Sequence, residues 1–220
     1  MIELERNVWL NISDVEIGSL EEIWKADTQH MYKIINSLPI SGNTVIDVAC
    51  GTGAYYPLLS SKYTAYLGID SSVKMLEIAK RKYPSAKFVL NDVKQLNNYP
   101  DLSFDMVFCM SLLIHMPLHI VEHTLKELWR ISNRHILFNV QVTDSETCDY
   151  DGSYGEYVSI VNRYDINRII DQLQDKKHTL EIVYNDKIIK VQECKHIKDD
   201  RKLNAKSGFQ GHLFSIEKNE

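Results

Sequence analysis

Apolar and polar positions along this chain repeat first at helical and then at strand spacing. Ile23, Trp24, Met31, Ile34, Ile35 and Leu38 fall at helical intervals. Ser19 and Glu22 form a capping box before them, and Pro39 closes the run. From Thr44 onward, strand and helix patterns alternate, beginning with the β-branched Val45, Ile46 and Val48. Strands are expected at 44–49, 65–70, 86–90, 104–110 and 135–142, and helices at Tyr55–Ser61, Val73–Tyr83 and Pro117–Ile131. Pro117 stands at a first-turn position, where its missing N–H is harmless. Successive βα units of this size predict an α/β fold: a Rossmann-like, doubly wound, mostly parallel sheet in a three-layer α-β-α sandwich. After a helix near Tyr164–Lys176, "TLEIVYNDKIIKVQE" reads as two extended runs about an Asn-Asp turn, and "FQGHLFSIEK" as a final strand. Antiparallel strands at the C-terminal edge follow. No repeat or Pro/Gly/Ser-rich linker divides the sequence, so residues 1–220 read as one domain, with 1–40 a helical cap and 41–220 the Rossmann-like core.

Composition adds limits. At 44% hydrophobic and 25% charged, the balance is that of an ordinary globular protein. No apolar run approaches the ~20 residues of a membrane span, and "MIELERN" is acidic without an apolar core, so a soluble cytoplasmic protein is expected, as a monomer or homodimer. The four cysteines are scattered without a CxxC pair, which points to reduced thiols. A net charge of −5 disfavours nucleic acid as a partner. The local exception is 194–206, with five Lys/Arg against two Asp, which reads as a solvated loop.

The chemistry gathers at strand ends, where doubly wound sheets bind ligands. In "TVIDVACGTGAYYPLLS" a buried strand runs into Gly51-Thr52-Gly53, a turn that brings backbone close to a nucleotide-like ligand. The second strand ends at Asp70, nineteen positions after Gly51, which suits a carboxylate accepting from two ribose hydroxyls. NAD or FAD would fit this much. Their fingerprint, however, needs a third small residue three positions after Gly53, and Tyr56 stands there. The third strand ends with Asp92, placed to accept from an adenine amine.

In this order the motifs resemble the class I S-adenosylmethionine-dependent methyltransferases. "VIDVACGTG", "YLGIDSSVKMLEIAK", "FVLNDVKQL" and "FDMVFCMSLLIHM" are similar to that family's first four motifs, over about Thr44 to Val142. The resemblance implies S-adenosylmethionine as cofactor and S-adenosylhomocysteine as product. It places Asp47 and the Gly51–Gly53 loop at the methionine part, Asp70 at the ribose and Asp92 with Val93 at the adenine, with Ala49, Cys50 and Ser71 also against the cofactor. Met75 would flank the base, and Met110 closes the set. Ala49 stands where the family more often has glycine, and the extra methyl is expected to be tolerated.

Methyl transfer needs alignment more than a nucleophile. If the acceptor carries a proton, His115 is the nearest base beyond the fourth strand. His119 and His123 follow at intervals of four, a spacing that can hold zinc, but the sequence places no third ligand, so no metal is expected. Acceptor contacts are expected from Trp9 and Trp24, from Ser111–Met116, and from the tyrosine-rich "DYDGSYGEYVSIVNRY", with Ser111, His115, Tyr154 and Tyr157 foremost. The Asn/Asp-Pro-Pro-aromatic sequence of DNA amino-methyltransferases is replaced by "CMSLLIHMP", and Cys109 lies inside a strand, where it reads as core. The expected activity is methyl transfer to the O or N of a small molecule. An RNA or protein acceptor and a non-catalytic adenosyl-ligand module are the alternatives.

Overall fold

The computed structural model describes residues 14–116, 118–143, 148–154, 157–165, 178–184, 187–191 and 212–218. Trp9, Pro117, the Asn185-Asp186 turn, residues 166–176 of the expected helix and the basic segment 194–206 lie outside them.

Helix α1 spans Asp14–Ser37 and so begins before the expected capping box. Ile17 is buried, so the apolar stripe reaches upstream of Ser19, and Ser19 and Glu22 stand inside the helix rather than capping it. The chain then alternates: β1 (Gly42–Val48), α2 (Tyr56–Lys62), β2 (Tyr63–Asp70), α3 (Val73–Lys82), β3 (Lys87–Leu90), a 3₁₀ turn (Val93–Asn98), β4 (Phe104–Cys109), a second 3₁₀ turn (Leu113–His115), α4 (Leu118–Ile131) and β5 (Ser132–Thr143). These boundaries shift the expected ones by at most three residues.

The five strands lie side by side as β3-β2-β1-β4-β5, all parallel. Because β1 is central, the winding reverses between β1 and β4, and the crevice above their carboxyl ends is the topological switch point. Apolar residues run almost unbroken along these strands, as a sheet covered on both faces requires. On one face Val45, Met106, Phe108 and Leu137 pack with Ile35, Leu38, Leu58 and Leu59 from α1, its exit and α2. On the other, Ile46, Val48, Val107, Ile136 and Phe138 meet Val121, Leu125 and Leu128, one stripe of α4. Cys109 is fully buried in that second cluster, as its place in the strand implies.

The sheet continues beyond β5 with β10 (His212–Lys218), β8 (His178–Tyr184) and β9 (Lys187–Val191), successive neighbours running antiparallel. This is the C-terminal antiparallel edge the sequence implies. The tyrosine-rich stretch, for which the sequence predicts no element of its own, is extended. It forms a hairpin of β6 (Cys148–Tyr154) and β7 (Tyr157–Asp165), so Tyr164 and Asp165 end a strand and do not begin a helix. The β-branched run Val158, Ile160, Val161 favours extended backbone, and "DYDGSYGEY" hides it behind turn-forming residues.

Candidate active site

Three residues in five after β1 are left-handed: Ala49 at φ 59°, Gly51 at φ 54° and Gly53 at φ 77°. Glycine adopts this region freely, whereas an L side chain pays about 1–2 kcal/mol. Ala49 therefore does more than add a methyl group; it holds the loop in a conformation that its own Cβ opposes. Ala49→Gly is expected to leave ligand binding intact and to raise unfolding free energy by up to about 1 kcal/mol in denaturant titration, the gain being trimmed by the greater freedom of glycine in the unfolded chain. A loss of stability would show that the Ala49 methyl group packs usefully.

The loop is tied to the end of β2. Cys50 N–H donates to the Ile69 carbonyl at 2.9 Å, and Gly51 N–H donates to Asp70 Oδ2 at 2.9 Å. The other carboxylate oxygen, Oδ1, accepts from Ser72 N–H at 2.8 Å, and the Ser72 hydroxyl caps α3 by accepting from Met75 N–H. Burial pushes the Asp70 carboxyl above its ordinary range, against these backbone donors. Ser71 is exposed beside it, and Met75 is buried in the first turn of α3.

At the end of β3, Asn91 N–H donates to the Asp70 carbonyl at 2.9 Å, which fixes the two strand ends together. Asp92 Oδ1 accepts from Lys94 N–H at 2.9 Å and starts the 3₁₀ turn at Val93. The Asn91 amide donates to the Tyr99 hydroxyl at 3.1 Å, while its Oδ1 is buried without a hydrogen-bond partner. An orphaned acceptor next to Asp92 suits a ligand edge rich in N–H donors. At the end of β4, Met110 is buried and Ser111 turns left-handed at φ 58°. The residues singled out in the first four motifs thus meet at adjacent strand ends, along one edge of the sheet.

Residues 45–134 match a family model described as a methyltransferase domain. Over that stretch, about two fifths of its length, the chain is similar to methyltransferase domains. Over 89 residues it is 28% identical to a dTDP-4-amino-2,3,4,6-tetradeoxy-D-glucose N,N-dimethyltransferase of Saccharopolyspora spinosa, covering 40% of this chain and 34% of that protein. Over 84 residues it is 36% identical to a demethylmenaquinone methyltransferase of Thermotoga maritima, covering 37% and 36%. The match thus spans about a third of the length of these curated relatives. Among solved structures, the DhpI–SAH complex superposes over 99% of this chain and 96% of that one, with a TM-score of 0.67 and 15% identity. A methyltransferase from Clostridium acetobutylicum covers 93% and 99%, at TM-score 0.62 and 14% identity. At such identities the likeness is one of fold.

Beneath the glycine loop lies Asp47, 2% exposed on β1. Its Oδ2 accepts from the Tyr66 hydroxyl at 2.8 Å, an interaction the sequence did not announce. Burial pushes the Asp47 carboxyl up to about 7, with the Tyr66 hydrogen bond pulling the other way and nearby Asp70 adding to the rise. Tyr66 belongs to an aromatic nest with Tyr56, Tyr83 and Phe88. Cys50 is buried against the same nest, burial raises its thiol pKa, and the thiol, kept protonated, donates to the Gly51 carbonyl at 3.8 Å. Tyr56, which argues against a pyrophosphate, is thereby a structural ring of the domain.

On the acceptor side, His115 ends the second 3₁₀ turn and is partly exposed. The β6–β7 hairpin rests against that turn, and β7 joins β5 in parallel at Val142↔Tyr164, above the point where β4 ends. Tyr154 and Tyr157 are opposite each other at the hairpin's turn end. A residue missing from the sequence reading is Asn139, whose Oδ1 accepts from Ser111 N–H at 2.7 Å and secures the left-handed Ser111. Its signal was available: a lone amide in the apolar strand "HILFNV". Among the described residues no group of three or more His, Cys, Asp or Glu side chains stands together to share a metal, and no helix is long and apolar enough to cross a membrane.

Proposed function

We propose that the protein binds S-adenosylmethionine across the carboxyl ends of β1, β2 and β3 and transfers its methyl group to a small-molecule O or N acceptor held above β4 and β5. The observation that carries the reading is the bond from Gly51 N–H to Asp70 Oδ2, which joins the glycine loop and the second-strand carboxylate into one rigid rim. Asp70 then accepts from two ribose hydroxyls, Asp92 from the adenine amine, and the Ala49–Gly53 loop faces the methionine part. Bound there, the cofactor supplies an electrophilic methyl group on a sulfonium. The chain's own work is to hold an acceptor atom in line with that methyl group and to keep water away, an alignment that is worth ~7–11 kcal/mol of barrier. His115 takes the acceptor's proton where there is one, and Ser111, Tyr154 and Tyr157 line the acceptor side.

A small acceptor is supported by the relatives' names, which describe methylation of a quinone precursor and of an amino sugar. Calorimetric titration with S-adenosylhomocysteine, followed by a labelled-methyl screen over phenols, amines, RNA and proteins, tests the reading. Asp70→Ala is expected to weaken binding more than Asp92→Ala, because it removes two charge-assisted hydrogen bonds instead of one, each worth about 1.5–3 kcal/mol. Equal small losses would mean that ribose and base sit elsewhere. Preference for NADH over both adenosyl ligands would overturn the cofactor.

A further inference from the structure

Helix α1 lies against the glycine loop and is joined to it by side chains. Glu21 Oε1 accepts from the Thr52 hydroxyl, in the middle of Gly51-Thr52-Gly53, and the same oxygen accepts from Lys82 Nζ at the end of α3. Eleven residues along α1, about three turns and some 16 Å, the Tyr32 hydroxyl donates to the Ala54 carbonyl just past the loop. The Tyr32 ring packs on Tyr55 at 5.8 Å between centroids, and Tyr55 packs on Phe108 of β4 at 5.0 Å. Burial pushes the Tyr32 phenol up to about 12, so it remains a donor throughout the working range of pH. Glu21 and Tyr32 share one face of the helix.

These contacts fall on and just beyond the left-handed loop. Thr52 lies between two left-handed glycines and is only 8% exposed. Glycine enters this region freely and leaves it as freely, so the shape of the loop depends on the groups that hold it. From β2 the loop is held by Asp70 at Gly51; on the opposite side Glu21 holds Thr52. Lys82 and Glu21 are 39% and 32% exposed, so their ion pair is solvent-screened and contributes little by itself. The hydroxyl bond, by contrast, ends on a buried threonine.

We propose that Glu21 is a positioning residue for the cofactor: acting through Thr52, it fixes the glycine loop in its ligand-ready shape, so that helix α1 is part of the cofactor site. This rests on the cofactor reading above. The helix was expected to serve the acceptor; the geometry gives it a second duty toward the other substrate.

The test is a double-mutant cycle on the full chain, read as the dissociation constant of S-adenosylhomocysteine by calorimetry, with melting temperatures recorded alongside. Glu21→Ala and Thr52→Val are each expected to weaken binding about five- to tenfold, and the double variant no further, since both remove the same bond. Glu21→Gln retains an oxygen that accepts from Thr52 and is expected to restore most of the affinity. Lys82→Met and Glu22→Ala, the latter an exposed partner of Lys25, are expected to change it less than about twofold. In turnover assays Glu21→Ala is expected to raise KM for the cofactor while leaving KM for the acceptor unchanged. Additive losses, unchanged affinity in folded Glu21→Ala, or failure of Glu21→Gln to rescue would each overturn the proposal. Lack of binding by the unaltered protein would instead overturn the cofactor reading beneath it.

Discussion

Replacing Asp47 by Asn is expected to raise the melting temperature of the ligand-free protein at pH 8 while weakening its affinity for S-adenosylmethionine at least about tenfold. Asp47 is buried on β1 with the Tyr66 hydroxyl as donor, and its carboxyl is pushed from 3.8 to about 7. A folded-state value above the unfolded one means that the folded protein holds a proton the unfolded chain has released. Stability is therefore fully present below about pH 4 and is lost as pH rises through about 7. At 1.36 kcal/mol per unit, the upper bound on that loss is about 4 kcal/mol. Asn keeps an oxygen for Tyr66 and removes the buried ionisation. The cofactor carries two cationic groups, so the ionised Asp47 favours it, and affinity in the parent protein should rise with pH up to about 7 and then level off. The Asn variant should lack that rise. Thermal melts at pH 5 and pH 8, with calorimetry across the same range, check both halves. A variant that is less stable at pH 8, or that binds as tightly as the parent, would show that Asp47 is not a buried carboxylate serving the ligand.

The second large effect is expected at Gly68, in β2. A Cβ built there would stand 2.7 Å from Phe88 Cδ1 and 2.8 Å from the Tyr66 hydroxyl oxygen, inside the distances real carbon atoms keep. Neither neighbour has room to retreat, because Phe88 packs against Tyr66 at 5.8 Å and Tyr66 is held by Asp47. Gly68→Ala should therefore destabilise by about 1–3 kcal/mol through overpacking, and it should disturb the Asp47–Tyr66 bond as well. Gly18 on α1, where an added methyl group would meet nothing within 4 Å, is the contrasting site. There alanine should stabilise by up to about 1 kcal/mol. Urea titrations of both variants decide the matter; a neutral Gly68→Ala would mean that the aromatic nest is looser than its contacts imply.

The parallel core was legible because each of its strands carries an apolar stretch bounded by polar or turn-forming residues. Gly51, Asp70 and Asp92 were legible because each sits at a strand end, where pattern alone fixes position. What escaped was of two kinds. Partnerships such as Asp47 with Tyr66, Glu21 with Thr52 and Asn139 with Ser111 join residues far apart in sequence, and no periodicity encodes which polar group meets which. The hairpin from Cys148 to Asp165 escaped because tyrosine, aspartate, glycine and serine serve turns and edge strands alike, so only pairing with β5 settles its state. The left-handed Ala49 was visible only as a departure from glycine, without the backbone angle that gives the departure its energetic meaning.

The place of β10 bears on how the polypeptide becomes this shape as it is made. His212–Lys218 inserts between β5 and β8, and Ile216 is buried in the same cluster as Val107 and Phe138. Until that strand leaves the ribosome, β5 presents an unpaired outer edge from His135 to Val140, and the β8–β9 hairpin has no neighbour through which to join the sheet. Residues 42–109 carry three of the parallel pairings within a short span of chain, so they are free to associate during synthesis. The edge of β5 has to wait some seventy residues, several seconds of translation, with its hydrogen-bonding groups open to other chains. Any cellular helper that shields nascent strands would find its task on this protein concentrated there.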